Sequence, residues 1–330
     1  MDIECRKIHV SKSVIMPVKT QNIKWAARAL VSSLLIGFFF ANSDVPKVAL
    51  SLQNLPPSII FWSAALYIFA FLIASAKWKI LLPEYPLSAL FKLNLIGLFY
   101  STVLPGQISG ELVKAYRLSK NSAEAERIVA SVWVDKITGL FGLFLVAVAG
   151  VFFTPTHLPQ SIFVAVILGT LCCFTLLFFI RFNPCGEIIL RMVRKLSSHF
   201  PKRRALLENF SSFIFAWREY LNRRGLIFSS VLAGVFFQLI AAVIVMMFAQ
   251  GIGIPLSFWD WSWIFGAVSV ALLLPITVGG LGIREGVLAG ILMWLHVPPE
   301  QALALSLSIF GVQVFGAAIG AATEIIFSRS

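Results

Sequence analysis

Two short stretches of the chain combine helix-breaking residues with charged side chains, and each could bind an anion. The first reads Leu-Pro-Gly-Gln-Ile-Ser-Gly-Glu at residues 104–111, and the second reads Leu-Pro-Ile-Thr-Val-Gly-Gly-Leu-Gly-Ile-Arg-Glu at residues 274–285. Both lie in sequence apolar enough for a bilayer, where proline and glycine leave backbone groups that only protein or a water-filled cavity can satisfy. Matching breaks in two halves of a membrane protein indicate a transporter that holds its substrate between them near the midplane.

The first break is followed by a predicted helix whose N-terminus suits a phosphate. Unpaired N–H groups and the helix dipole attract anions at such an end, and Gly106 and Gly110 let a ligand approach the backbone. Lys114 and Arg117, one and two turns further on, add positive charge. The alternative is that the glycines serve close helix packing while Lys114, Arg117 and Lys120 extend to the membrane interface.

A carboxylate is predicted inside the membrane on the span that follows. Asp135 lies about two turns beyond Arg127 and next to Lys136. Because a carboxylate at that depth needs a cationic partner, we expect it to pair with Lys114, Arg117 or Lys136. From the sequence, a structural ion pair and a role in gating or proton coupling are both open.

The second break ends in three glycines that open a helix, with Arg284 and Glu285 at its start. A guanidinium at a buried helix N-terminus suits bidentate binding of a phosphate. The alternative is that Arg284 pairs with Glu285 or Glu111, which would leave the site electrically quiet.

The composition of the 330-residue chain is that of a polytopic membrane protein. Hydrophobic residues make up 58% of it and charged residues 13%, far from the balance of a soluble domain. The net charge of +12 does not indicate nucleic-acid binding, because nearly all Lys and Arg lie between apolar spans, as topology determinants do. The scattered cysteines and histidines have no metal-ligand spacing, and catalytic and nucleotide-binding motifs are absent from the sequence. We therefore expect neither an enzyme nor a metal or other cofactor.

The hydropathy pattern predicts an all-α polytopic fold with about six transmembrane helices and two re-entrant helix pairs. The predicted spans are residues 25–41, 58–76, 124–153, 161–180, 226–250 and 301–327, and the re-entrant pairs cover 87–121 and 259–295. The helices after the two breaks are too short to cross a core of about 30 Å. Lys77 and Lys79 are interpreted as the cytoplasmic end of the second span. Of the 27 Lys and Arg, only Lys47 and Arg284 fall toward the outside, so both termini are expected in the cytoplasm.

A single transmembrane domain at residues 25–327 is expected after a basic cytoplasmic segment at 1–24. Its halves, about 25–153 and 161–327, each contain a span, a second span, a re-entrant pair and a final span. The odd number of spans between the two pairs makes the halves an inverted repeat. A cytoplasmic loop at 181–225 holds the densest basic run and two predicted amphipathic helices.

The paired motifs resemble those of the lysylphosphatidylglycerol synthase transmembrane family, a flippase-like family that includes YbhN-type proteins and the flippase domain of MprF proteins. The residues that carry the resemblance are Leu-Pro-Gly-Gln-Ile-Ser-Gly-Glu at 104–111, Lys-Ala-Tyr-Arg at 114–117, Asp-Lys at 135–136 and Gly-Gly-Leu-Gly-Ile-Arg-Glu-Gly at 279–286. The resemblance covers about residues 24–327 and implies a lipid translocator. In two-part MprF proteins a soluble aminoacyl-transfer domain follows this region, and we do not expect that synthase activity here.

The residues and the resemblance together lead us to expect a flippase of the inner (cytoplasmic) membrane with a cationic site at the midplane. Its expected ligand is an anionic phospholipid or a polyprenyl-phosphate-type lipid. The alternative is a non-catalytic lipid-binding or scaffold subunit of a cell-envelope lipid or glycan pathway, and a homo-oligomer or a partner enzyme of envelope lipids is compatible with either. The candidate substrate-binding residues are Gly106, Gln107, Ser109, Gly110, Glu111, Lys114, Arg117, Asp135, Lys136, Thr277, Gly279, Gly280, Gly282, Arg284 and Glu285.

Overall fold

The computed structural model of the protein describes residues 43–104, 108–120, 124–156, 213–220, 222–273 and 279–329, with 122, 277 and isolated positions within 30–37 and 160–175. Every regular element in this part of the chain is a helix, which confirms the predicted all-α class for it. The helices are α1 Val45–Gln53, α2 Pro57–Leu81, α3 Leu87–Val103, α4 Ile108–Ser119, α5 Ala125–Phe153, α6 Arg224–Ile252, α7 Phe258–Ala271, α8 Ile283–Trp294 and α9 Pro299–Arg329.

Four of these helices, α2, α5, α6 and α9, are long and apolar enough to cross a membrane. The shortest of them, α2, has 25 residues and rises about 38 Å, more than the hydrocarbon core of about 30 Å. They coincide with four of the six predicted spans, so the chain is a multi-pass membrane protein. Apart from isolated positions, the predicted spans 25–41 and 161–180 lie outside the described residues, as do the segment 1–24 and most of the loop 181–225.

Two pairs of shorter helices flank the two breaks. α3 and α4 have 17 and 12 residues, and α7 and α8 have 14 and 12, so α4 and α8 each reach only about 18 Å. α8 begins after Gly282, whose φ of 92° is a conformation that residues with a side chain rarely adopt. The Glu285 carboxylate accepts a hydrogen bond from the Gly282 N–H at 2.6 Å. The helices are therefore interrupted between Val103 and Ile108 and between Ala271 and Ile283, where the sequence predicts the two breaks.

The helix contacts of the first half of the chain correspond to those of the second half. α2 packs against α6, α3 packs against α9, and α7 packs against α5. The contact between α2 and α3 has a counterpart between α6 and α7, and the contact between α4 and α5 has one between α8 and α9. At Gly142 on α5 an added Cβ would lie 2.8 Å from the backbone of Gly234 on α6. Small residues let helix backbones approach closely in a membrane, and here they fix α5 against α6.

Apolar packing divides between two clusters. One is built mainly on α6, α7 and α9 around Trp261 and Trp263, and the other on α2, α3 and α5 around Trp78. Residues 213–220 are helical, and Trp217 joins the second cluster. The amphipathic pattern predicted for this end of the basic loop therefore packs onto the bundle.

Candidate functional site

A cavity of about 870 Å³ lies inside the helix bundle and borders both breaks. Gly110, near the start of α4, and Gly279, before α8, both line it. The end of α3 adjoins the second break, because an added Cβ at Gly279 would lie 3.0 Å from the carbonyl oxygen of Thr102. Gln313 on α9 donates a hydrogen bond to the Thr102 hydroxyl at 3.3 Å. Two distant stretches of sequence therefore meet at one cavity.

Charge is concentrated on the wall that α2, α4 and α5 build, whereas α6, α7 and α9 contribute mostly apolar side chains. The charged residues that line the cavity are Lys77, Glu111, Lys114, Asp135, Lys136 and Arg284. Glu285 on α8 does not line the cavity, but it pairs with Arg284, which does. Within the described part of the chain the site therefore combines four cations with three anions, a net positive charge of one.

Asp135 on α5 pairs with Lys77 on α2, at 3.2 Å between Oδ1 and Nζ. The Lys77 ammonium also donates to the Asp135 backbone carbonyl. The predicted partners Lys114, Arg117 and Lys136 were wrong. Lys77, which the sequence places at the end of the second span, is buried in this pair instead of being exposed. The reason is that α2 continues to Leu81, which carries Lys77 into the packed bundle.

Lys114 on α4 is buried in a polar cluster. Its Nζ donates to Asn94 Oδ1 at 2.8 Å, forms an ion pair with Glu111 at 2.7 Å and lies 5.0 Å from the centre of the Trp78 ring. Asn94 in turn donates to Ser75 Oγ at 2.8 Å. The alternative in which Lys114 extends to the membrane interface is therefore wrong, because its charge is held inside the bundle.

Lys136 on α5 is the most accessible of the three lysines in the wall built by α2, α4 and α5. Its side chain is 34% exposed, and its nearest anion is Glu111 at 3.9 Å. Lys114 is far less exposed and lies much closer to the same carboxylate. An anionic ligand would therefore reach Lys136 with the smaller rearrangement.

Arg284 is buried and already holds several partners. Its Nη2 pairs with Glu285 at 2.7 Å, its Nε donates to Ser306 Oγ at 2.9 Å, and its Nη1 donates to Gln313 at 3.5 Å. The ion pair between Arg284 and Glu285, one of the two pairings that the sequence allows, is therefore present. A guanidinium has five N–H donors, and these three contacts use three of them, so Arg284 keeps donor capacity beyond these contacts.

Arg117 does not belong to the cavity wall among the described residues. Its guanidinium pairs with Glu324 on α9, and the Tyr100 hydroxyl donates to the same carboxylate at 3.3 Å. Arg117 lies close to one turn beyond Lys114 on α4, and its side chain reaches Glu324 on α9 instead of the cavity. Its geometry is that of a link between helices.

The structure brings seven of the candidate residues to the cavity. These are Gly110, Glu111, Lys114, Asp135, Lys136, Gly279 and Arg284. Six others lie near the breaks or on α4 without appearing in that wall, namely Ser109, Arg117, Thr277, Gly280, Gly282 and Glu285. Gly106 and Gln107 lie outside the described residues.

Sequence reasoning missed several polar residues of the site, and among those that line the cavity are Lys77, Asn94, Gln238 and Gln313. Their signal was available, because each is a polar side chain within an otherwise apolar helix, and such residues usually face the bundle interior. Lys77 was assigned to the membrane surface because a second lysine follows at position 79. Asn94 carries no charge, so its signal in the sequence is weaker.

The fold and the site define a polytopic membrane protein with a charged cavity at two helix breaks. A family model described as the lysylphosphatidylglycerol synthase TM region matches residues 25–320, and the chain belongs to this family. It is 24% identical over 322 residues to a UPF0104 membrane protein of Methanocaldococcus jannaschii, covering 91% of this chain and 90% of that one. A UPF0104 membrane protein of Methanothermobacter thermautotrophicus is 25% identical over 301 residues, with 82% and 83% covered. No solved structure matches the chain.

Proposed function

We propose that this protein is a transporter that moves an anionic, phosphate-bearing lipid across the cytoplasmic membrane. The observation that carries the proposal is the cavity inside the bundle, where two helix breaks meet and cations outnumber anions. Charged groups inside membrane proteins are rare, and they commonly mark the path of a substrate, an ion or a proton. An anion is the ligand that a net positive cavity selects.

The packing of the helices supports an inverted repeat and, with it, alternating access. Each packing contact that α2, α3, α4 and α5 make with one another or with α6–α9 has a counterpart when they are exchanged for α6, α7, α8 and α9 in that order. In this arrangement a rocking of one half against the other would expose the cavity to each leaflet in turn. The strong bias of Lys and Arg toward one side supports cytoplasmic termini.

The phosphate would bind first to Lys136 and then compete with Glu111 for Lys114. Glu111 lies in the first turn of α4, where a carboxylate is favoured by the helix dipole, and it holds both lysines. A ligand phosphate that displaces Glu111 from Lys136 would gain the helix end as well as the ammonium group. The proposed chemistry is binding alone and includes no catalytic step.

The test is translocation of labelled phosphatidylglycerol by purified protein in liposomes. Lys136→Gln is expected to lower the initial rate by about tenfold or more, because a hydrogen bond to a charged group contributes about 1.5–3 kcal/mol. Lys92→Gln is the matched control, since Lys92 is exposed on α3 and does not line the cavity. Equal translocation rates in the folded Lys136→Gln protein and the control would contradict the proposed phosphate site at Lys136.

The same experiment separates the transporter from a lipid-binding subunit. Lipid that co-purifies with the wild-type protein, with no translocation in liposomes, would favour a subunit that presents lipid to a partner enzyme. Translocation by the purified protein alone would decide against that alternative.

A further inference from the structure

We propose that the cavity opens sideways into the bilayer between α4 and α5, and that an acyl chain of the lipid lies in this opening. This inference rests on the proposed function and deepens it, because it assigns a place to the hydrocarbon part of the substrate. The proposed occupant is one acyl chain of an anionic phospholipid whose phosphate lies at Lys136.

The exposed side chains of the cavity wall all come from these two helices in the described part of the chain. Leu112 and Tyr116 on α4 are 58% and 61% exposed, and Trp133 on α5 is 38% exposed. Ile108, one turn before Leu112, is also exposed. Residues at i, i+4 and i+8 share one face of a helix, so α4 presents a continuous apolar edge to the opening.

The opposite edge is apolar as well. Val129 and Ile137, one turn to either side of Trp133, line the cavity with it. Trp133 lies eight residues after the start of α5, which is about 12 Å along the helix. α5 has 29 residues and is about 44 Å long, so a hydrocarbon core of about 30 Å centred on this helix would begin about 7 Å from its start and would include Trp133. The opening therefore faces lipid tails and not water.

The charges of the site lie just behind this apolar edge. Glu111 precedes Leu112 on α4, Lys136 follows Trp133 by one turn on α5, and the two charged groups approach to 3.9 Å across the opening. The site thus has charged groups inside and apolar side chains at its opening. An amphiphile with an anionic head and an apolar tail complements this arrangement. A fully polar ligand would leave the apolar edge unmatched.

The size of the cavity supports the same conclusion. Its volume of about 870 Å³ lies within the range of sites for drug-sized ligands, about 300–1,000 Å³. It can hold a headgroup and the first part of a chain, and a long chain must continue elsewhere. An exit at the depth of the bilayer core keeps the rest of that chain in hydrocarbon.

Photo-cross-linking of the wild-type protein tests this placement without a transport assay. The probe is phosphatidylglycerol with a diazirine near the end of one acyl chain, incorporated in phosphatidylcholine liposomes with the purified protein and mapped by mass spectrometry. We expect labelling of Leu112, Tyr116 and Trp133 to exceed that of Phe236 several-fold. Phe236 is a matched control, because it is exposed on α6 but does not line the cavity. Unlabelled phosphatidylglycerol should suppress the excess, whereas added phosphatidylcholine should not.

Equal labelling of Phe236 and of the opening would show that the probe contacts the protein only as surrounding bilayer lipid. An excess at the opening that phosphatidylcholine suppresses as well as phosphatidylglycerol does would show the same. Either result would overturn the inference. Leu112→Gln provides a second measurement, with Leu232→Gln on α6 as its control because Leu232 is also exposed and lies outside the cavity wall. Only Leu112→Gln should lower chain labelling and translocation several-fold. Normal translocation with no excess labelling would overturn the opening and leave the proposed function intact. Excess labelling without any translocation would overturn the transporter and leave the opening intact.

Discussion

The Lys77 ammonium group lies 3.2 Å from the Asp135 carboxylate in the cavity wall and joins α2 to α5. Both side chains are largely shielded, at 6% and 15% exposure. Removal of one member of a buried pair leaves an uncompensated charge and costs about 3–5 kcal/mol. Asp135→Asn is therefore expected to lower the free energy of unfolding by about 3 kcal/mol, measured by chemical denaturation in detergent.

The double variant Lys77→Met/Asp135→Asn sharpens this first prediction. It should recover much of the stability, because no charge is left unpaired. Lys79→Met is the control, since Lys79 is exposed on the same helix. A double variant less stable than Asp135→Asn alone would contradict the pairing.

Glu111 holds both Lys114 and Lys136 and should compete with an anionic ligand. Glu111→Gln is expected to tighten binding of phosphatidylglycerol by about tenfold, since a like charge beside a ligand costs more than about 1.4 kcal/mol. Binding can be measured by native mass spectrometry of the protein released from detergent. Glu124→Gln is the control, because Glu124 is exposed outside the cavity wall. Weaker binding by the Glu111→Gln protein would contradict competition.

Arg117 is placed in a helix contact with Glu324 and away from the cavity. Arg117→Gln should lower stability by about 1–3 kcal/mol and leave phosphatidylglycerol affinity within about twofold of the wild-type value. Glu324→Gln should have the same effect, and the two substitutions together should cost less than their sum, as expected for a pair in contact. Additive costs, or a loss of lipid affinity in Arg117→Gln at unchanged stability, would show that Arg117 acts elsewhere.

Asp260 at the start of α7 ties this helix to the end of α5. Burial raises the pKa of its carboxyl, but hydrogen bonds from Ser257, Thr154 and Thr156 outweigh this effect and hold the pKa below its usual range. A group whose pKa is lowered by folding stabilises the protein above the unfolded pKa of about 4 and loses that contribution as the pH falls through the folded value. The protein should therefore become less stable as the pH falls below about 4.

Asp260→Asn tests this assignment. It should be less stable than the wild-type protein at neutral pH by about 1–3 kcal/mol, and the difference should shrink as the pH falls below about 4. Thermal unfolding in detergent at a series of pH values measures both effects. A difference that stays constant with pH would exclude ionised Asp260 as the stabilising species.

Gly142 brings α5 against the backbone of α6. An added Cβ would lie 2.8 Å from backbone atoms of Gly234 and Val235, so Gly142→Ala should destabilise the protein by about 1–3 kcal/mol through overpacking. Gly290→Ala is the matched control, because nothing lies within 4 Å of its added Cβ and alanine favours a helix by up to about 1 kcal/mol. The two substitutions should shift the melting temperature in opposite directions.

The spans and the breaks could be predicted because hydrocarbon constrains each segment by itself. A helix must satisfy its own backbone groups in the bilayer core, so apolar length, proline and glycine locate α2, α5, α6 and α9 and the two interruptions without reference to their neighbours. The charged residues beside the breaks could be nominated for the same reason, since a charge at that depth needs a partner or a cavity.

The choice of partners was decided by the tertiary structure. Lys77 and Asp135 are 58 positions apart in the chain, and Arg117 and Glu324 are 207 positions apart, so the packing of the helices determines which charges meet. The rotation of α4 turns Lys114 toward the cavity and Arg117 toward α9, although both follow the same break. The sequence by itself thus determined which segments are apolar enough to cross a membrane and where they are interrupted. Packing alone decided which charged side chains pair and which line the cavity, because long-range contacts depend on the orientation of every helix involved.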